Sequence, residues 1–312
     1  MHDIVIIGSG VTGFAAAMYA GRLNMKTMVI GETIGGTITL TNIVENYPGF
    51  KSITGTELAQ RLEEHARDYD IEVVQNKVTK VERPDETCIK VYTNDKEYLT
   101  KTVIFATGTK HRKLNVPGSE EFENRGVHYC ALCDGPFFRG KVVGVVGGSD
   151  SAVKEALLLS EHADKVYIFV RGEKLKSEPI NAKRVETNEK IEVVTGINVV
   201  EIQGEASVNK VIFDREYNGS RELPIDGLFV AIGLIPLSDV AKDFGVKTNK
   251  KGEIIIDTDS KTNQPGVYAA GDIANRTFKQ AITGVAEGII AAYSAYQYIN
   301  EGAVVWPCSD EE

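Results

Sequence analysis

The sequence predicts an α/β fold of two nucleotide-binding domains, the second inserted into the first, and three observations lead there. The chain opens with an apolar run from Asp3 to Ile7, a glycine turn, an alanine-rich helical run from Phe14 to Arg22 and a second apolar run from Thr27 to Ile30. The same pattern returns at an offset of 139 residues, as Val142 to Val146, Asp150 to Ser160 and Val166 to Val170. Two similar strand-then-glycine segments, VIFATGTK at Val103 to Lys110 and LFVAIGLIP at Leu228 to Pro236, bracket that repeat.

Each opening strand is apolar at successive residues, so both of its faces are expected to be buried, as in a parallel sheet covered by helices. Between strand and helix stand Gly8, Gly10 and Gly13 in GxGxxG spacing. Gly8 allows the tight turn, Gly10 lets backbone approach a pyrophosphate, and Gly13 allows close contact of helix and strand. The helix amino terminus presents unpaired N–H groups to the negative charge. Glu32, 19 residues after Gly13, falls at the end of the second strand. There a carboxylate can accept from ribose hydroxyls, or simply be solvated.

In the repeat Gly147 matches Gly8, Ala152 matches Gly13 and Ala156 matches Ala17, which makes two related Rossmann-like units. A third block, Gly252 to Tyr298, reads as a strand at Glu253 to Ile256, the segment GVYAAGD at Gly266 to Asp272, and a helix from about Lys279 to Tyr298. It carries no glycine fingerprint, so it is expected to complete one of the units. The first domain is then discontinuous, residues 1–112 plus 236–312, around an inserted domain at 113–235. Two neighbouring linkers would let the inserted domain swing as a rigid body.

Of the 312 residues 42% are hydrophobic and 25% charged, the composition of a globular protein, and no run approaches the ~20 apolar residues of a membrane helix. A net charge of −9 argues against a nucleic-acid partner. Four cysteines are too few for a disulfide scaffold, and the start lacks the pattern of a secretory signal, so a reducing cytoplasm is expected. The charged runs at Lys247 to Glu253 and Asp310 to Glu312 read as solvated surface.

Cys130 and Cys133 stand in HYCALCDGPF. A zinc site needs four ligands. His111 and His128 could be recruited, but the other cysteines, Cys88 and Cys308, are isolated in the sequence. As a dithiol the pair can exchange with another disulfide through a mixed disulfide. Asp134, next to Cys133, can move a proton to or from sulfur, cap a helix, or do both.

The segments GSGVTGF, VENYPG, ATG, CALCDG and GVYAAGD, in this order, resemble the low-molecular-weight thioredoxin reductases over nearly the whole chain. A CxxCDG inside the second nucleotide domain separates that family from glutathione-reductase-like enzymes. The resemblance implies a homodimeric flavoprotein with FAD in the discontinuous domain and thioredoxin, or a similar small disulfide protein, as acceptor. It implies that Gly8, Gly10 and Gly13 hold the pyrophosphate, with Glu32, Gly36 and Gly108 in the same site. Asn46 would lie near the flavin ring, and Asp272 would bond the ribityl chain. Gln280 and Ala281 would start a helix at the flavin O2 edge, where a positive helix end stabilises charge on the reduced ring. Cys133 would be the sulfur nearer the flavin and Cys130 the one that attacks the partner. A dithiol that must face first the flavin and then the partner implies rotation of the inserted domain.

The sequence departs from its family at one side-chain amide contact to the flavin and at the donor side. Gly35, Gly36 and Thr37 stand where relatives carry GGQ. In the second fingerprint, beginning at Gly147, Ser149 takes the position of close backbone approach. The basic HRRxxxR segment reads VRGEKLK: Val170 and Gly172 replace histidine and arginine, Arg171 is kept, and Lys176 stands for the last arginine. Loss of cationic contacts weakens recognition of a 2′-phosphate, so NADPH, NADH, ferredoxin and a reduced deazaflavin all remain open as donors. A flavin-bound regulatory module without turnover is the alternative of another class. Trp306 and Cys308 lie in a tail that reads as surface, as a cover for an exposed flavin or empty nucleotide site, or as a source of a resolving thiol.

Overall fold

The computed structural model describes residues 1–85 and 88–301, so the Trp306 and Cys308 tail lies outside the described residues. The chain divides into two compact units, Met1–Lys110 with the segment from Ile235 onward, and His111–Leu234. Among the described residues no helix is long and apolar enough to cross a membrane.

The first unit begins with β1 (His2–Ile7), α1 (Val11–Arg22) and β2 (Thr27–Gly31). It continues through α2 (Gly55–Arg67), β3 (Ile71–Gln75), β4 (Val78–Glu82), β5 (Ile89–Thr93) and β6 (Glu97–Phe105) to β7 (Thr109–His111). Helix α2 starts at Thr54, whose hydroxyl accepts the Glu57 N–H, the usual way of satisfying a free donor of the first turn.

The second unit holds β8 (Val127–His128), the single turn α3 (Ala131–Asp134), β9 (Val142–Val146), α4 (Asp150–Ser160) and β10 (Lys165–Val170). Then come α5 (Pro179–Glu186), β11 (Ile191–Thr195), β12 (Val199–Gly204), β13 (Val208–Tyr217), β14 (Ser220–Pro224) and β15 (Gly227–Val230). The chain returns through β16 (Leu234–Pro236), which pairs with β7, to α6 (Asp239–Asp243), β17 (Val267–Ala269) and α7 (Ala281–Glu301).

In the first unit the sheet order is β3-β2-β1-β6-β5-β4, with β17 also on β6. Strands β1, β2, β3, β17 and β6 run parallel, while β5 pairs antiparallel with the first half of β6 and β4 pairs antiparallel with β5. The second unit repeats the plan as a parallel sheet β11-β10-β9-β15-β8 and a separate antiparallel sheet β12-β13-β14.

The apolar runs bury both faces because alternate side chains of a strand point opposite ways. Ile4, Ile6, Val29 and Ile104 pack on one face against Phe14, Ala16, Ala17 and Ala20 of α1 and Ala291, Ala292 and Ala295 of α7. Val5, Ile7, Met28, Ile30 and Phe105 fill the other, against Val78, Val81, Ile89 and Val91. Full burial of each such aliphatic side chain contributes about 1.5–3 kcal/mol. The second unit packs Val143, Val145 and Ile168 against Ala152, Val153, Ala156 and Leu159 of α4. Its opposite face joins Phe169, Leu228 and Val230 to Val199, Ile202, Val211 and Phe213 of the antiparallel sheet.

The third block differs from expectation in two places. Glu253 to Ile256 form no strand: Ile254 makes only isolated bridges, to Thr248 and to Ala274. Its backbone bonds go to different loops, with Ile254 N donating to Ile273 O and Ile255 N to Lys247 O, so no partner runs alongside it for a ladder. The small-residue helix starts at Ala281, not Lys279, because the Gln280 carbonyl accepts the first helical bond, from Gly284 N at 3.0 Å.

Candidate functional site

The first glycine loop joins β1 to α1. Gly8 has φ +122, and a Cβ there would fall 2.1 Å from Ala106 O; a Cβ on Gly13 would fall 1.9 Å from Gly8 O. Both are fixed as glycine by the fold itself. Gly10 is different: its Cβ would meet only Gly35 O at 3.7 Å and Gly36 Cα at 3.8 Å, ordinary contacts. Gly10 bridges to Gly35, and Gly36 lies against it. Three backbones without side chains thus lie side by side at the amino end of α1, whose first turn carries no acidic residue. Phosphate oxygens fit such a bare helix start.

Other expected residues converge on this loop. A Cβ on Gly271 would fall 2.6 Å from Thr12 Oγ1, and one on Gly284 equally close, so the segment carrying Asp272 and the first turn of α7 both press on Thr12 of α1. Burial pushes the Asp272 carboxyl up, and Lys279 opposes that shift. No side chain or N–H of the described residues donates to that carboxylate, so a ligand hydroxyl can. Asn46 Nδ2 donates to Gln280 Oε1 at 3.0 Å, bringing the VENYPG loop to the start of α7 beside Ala281. Glu32 follows β2 directly with its carboxylate exposed, 4.0 Å from Lys77 Nζ. Gly108 follows β6 with open space around it and accepts from Leu237 N. These residues fit a flavin dinucleotide.

Reading the sequence missed three supports of this region. Thr12 is the spacer on which Gly271, Gly284 and Gly288 close. Lys279 donates to Asp272 O and to Glu253, while Glu287 accepts from Gly271 N and pairs with Arg276. Thr12 joins segments distant in the chain, whereas Lys279 and Glu287 tie residues 7 to 26 positions away.

The second loop repeats the first with side chains added. Gly147 has φ +151, and its Cβ would fall 2.3 Å from Ala231 O. Ser149 has nearly the backbone of Gly10, at φ −89 and ψ 174 against −86 and −173. It bridges to Lys176, whose N–H donates to Gly148 O, just as Gly35 N donates to Ser9 O. Exposed Ser149 and Lys176 side chains therefore stand where the first unit has Gly10 and Gly35. Arg171 follows β10 as Glu32 follows β2, and is exposed. Val170 is 3% exposed, so a side chain at that position points into the core and not toward a ligand.

Cys130 and Cys133 are joined as a disulfide at the start of α3, with Cα atoms 5.4 Å apart. Cys130 is buried and caps the turn, its sulfur accepting the Cys133 N–H, whereas Cys133 is exposed. Asp134 sits in the same turn, and His128 Nδ1 lies 2.9 Å from its Oδ2. From α4, Glu155 accepts the Ala131 N–H. Burial, reinforced by the nearby Asp134 charge and opposed by that N–H, pushes the Glu155 carboxyl up to about 7. The Glu155 contact spans 24 residues and had no local signal in the sequence.

The profile of the family described as pyridine nucleotide-disulphide oxidoreductase matches residues 2–288. The thioredoxin reductase of Bacillus subtilis is 39% identical over 304 residues, covering 96% of each chain. Among solved structures, the Lactococcus lactis thioredoxin reductase in its FR conformation superposes with a TM-score of 0.93 at 39% identity, over 96% of this chain and 100% of that one. A ferredoxin-flavin thioredoxin reductase from Clostridium acetobutylicum matches at 32% identity and a TM-score of 0.51, over 96% of this chain and 98% of that one. With a disulfide in CxxC spacing on one of two Rossmann-like units and likeness of this extent, the chain belongs to the pyridine nucleotide-disulphide oxidoreductases, and among them to the low-molecular-weight, FAD-dependent thioredoxin reductases.

Proposed function

We propose that the chain passes electrons from FAD in the discontinuous domain, residues 1–112 and 236–312, through Cys130 and Cys133 of the inserted domain, residues 113–235, to the disulfide of thioredoxin or a similar small protein. The observation that carries this reading is the Cys130–Cys133 disulfide with Asp134 in the same turn. Bound FAD supplies two-electron transfer between a donor and that disulfide. Gly8, Gly10, Gly13 and Gly36 hold its phosphates at the α1 start, Glu32 takes the ribose and Asp272 the ribityl hydroxyls, and Gly108 borders the site. Asn46, Gln280 and the Ala281 N–H orient the ring. Cys133 takes the electrons from the flavin, Cys130 attacks the partner, and Asp134 carries the proton. The working form is a cytoplasmic homodimer, as the family resemblance implies.

For the donor a second reading is favoured by the second loop. The Ser149 and Lys176 side chains crowd the place of a pyrophosphate, Val170 is buried and Gly172 offers no cation, which supports a donor other than NADPH. Ferredoxin is the donor type named for the Clostridium acetobutylicum relative, and we take it as the alternative. Gly147, Ser149, Arg171 and Lys176 are then remnants of a nucleotide site.

The test uses FAD-loaded enzyme reduced anaerobically with dithionite and mixed with oxidised thioredoxin. The flavin absorbance should return as thioredoxin thiols appear. Cys130→Ser and Cys133→Ser should each abolish this, and Cys133→Ser should trap thioredoxin on Cys130. A trapped partner on Cys133 alone would reverse the two sulfur roles, and a wild type that leaves thioredoxin oxidised would make the chain a flavin-bound module without turnover.

A further inference from the structure

His128 ends β8, two residues before Cys130. The ladder of β8 with β15 sets it opposite Phe229, and its buried ring stacks on Phe229 at 5.4 Å between centroids. Phe138 meets the same ring edge-on at 5.3 Å. Clamped between these two rings, the imidazole presents Nδ1 to Asp134 Oδ2 at 2.9 Å. The approach is close without the alignment of a hydrogen bond, so it is an ion pair with imidazolium and a weak contact with the neutral ring.

Other titratable and charged groups surround this pair. Glu155 reaches α3 from α4 through the Ala131 N–H, and His162, after α4, has its Cδ2 3.6 Å from where a Cβ on Gly135 would lie. The Lys141 ammonium lies 5.5 Å from the centre of the Phe138 ring.

We propose that His128 and Asp134 form one acid–base dyad for the Cys130–Cys133 pair, with His128 as the positioning residue that holds the Asp134 carboxylate and shares its proton. This rests on the reading of Asp134 as the group that exchanges protons with the thiols. An ordinary aspartate is ionised at neutral pH and is a poor acid there, whereas imidazole titrates in that range.

The chemistry the dyad serves is balanced. A thiolate of the reduced pair attacks one sulfur of the partner's disulfide; a mixed disulfide forms, the partner's S–S bond breaks, and the departing sulfur takes a proton. The second thiolate then re-forms the Cys130–Cys133 bond and frees the partner's other sulfur, which takes the second proton. Two electrons and two protons pass from the pair to the partner, the protons by way of the dyad.

The experiment follows thioredoxin reduction by anaerobically pre-reduced, FAD-loaded enzyme from about pH 5 to about pH 9, bracketing the imidazole range. His128→Asn should slow the step about tenfold and remove one ionisation from the profile, with the flavin spectrum unchanged. Asp134→Asn should be slower still, and His128→Asn added to it should cost nothing more. A wild-type profile in His128→Asn beside a slow Asp134→Asn overturns the dyad and leaves Asp134 its role. A wild-type rate in Asp134→Asn overturns the reading of Asp134, and the dyad with it. Should His128→Asn fail to fold, histidine resonances of the intact labelled enzyme decide: the His128 titration must change in Asp134→Asn, and an identical titration overturns the dyad.

Discussion

Asn46 Nδ2 donates to Gln280 Oε1 over 3.0 Å, linking residues 234 positions apart at the start of α7. Both side chains belong to the proposed flavin edge, and the bond orients each for a ligand. Asn46→Ala or Gln280→Ala should weaken FAD binding about fivefold, the ~1 kcal/mol of a single hydrogen bond. The double variant should cost less than the sum, because each single change already breaks the shared bond. FAD release on dilution, followed by flavin fluorescence, gives the numbers, and wild-type affinity in both variants would remove the pair from the site.

Gly10 and Gly8 separate binding from folding. A Cβ on Gly10 meets protein only at 3.7 Å or more, whereas one on Gly8 lands 2.1 Å from Ala106 O. Gly10→Ala should therefore leave the apoprotein within about 1 kcal/mol of wild type yet weaken FAD tenfold or more by filling the approach to the phosphates. Gly8→Ala should fail to accumulate folded protein. Soluble yield, circular dichroism and FAD titration together check this, and tight FAD binding by Gly10→Ala would show that the phosphates lie elsewhere.

Glu155 gives a pH dependence with a defined sign. Its folded value, about 7, lies above its ordinary 4.5, so the native state binds more protons than the unfolded chain between these limits. Its contribution is full below about pH 4.5 and is lost as pH rises through 7. Glu155→Gln keeps an acceptor for the Ala131 N–H and cannot ionise, so it should gain stability relative to wild type across that window, on the order of 3 kcal/mol at most. Urea unfolding of both proteins at a series of pH values tests it; parallel curves would mean that Glu155 ionises like an exposed carboxylate.

The donor question can be put to two side chains. Ser149→Gly with Gly172→Arg should raise NADPH affinity at least tenfold, since Gly172 has no atom within 4 Å of a Cβ and an arginine adds one charge-assisted contact. Val170→His, which the family motif suggests, should instead destabilise the second unit, because that side chain is in the core. Flavin bleaching by NADPH in the wild type and in the two-site variant is the measurement. Micromolar saturation in the wild type would return Arg171 and Lys176 to a working NADPH site.

Much of this protein was determined locally. The apolar runs at Asp3 to Ile7 and Val142–Val146, the glycines at hard turns and the CxxC spacing each express a short-range constraint, and the secondary structure follows them. Side-chain alternation along a strand and the space available at a turn are properties of neighbouring residues, which is why they can be read in order. Glu253 to Ile256 had the strand pattern and formed none, because a ladder also needs a partner running alongside, and the tertiary structure supplies none. Only the folded chain placed His128 between two phenylalanines and against Asp134, brought Glu155 to Ala131, turned Val170 inward, and joined Asn46 to Gln280. Those relationships depend on which strands and helices pack together, and no periodicity along the sequence encodes the meeting of residues separated by tens or hundreds of positions.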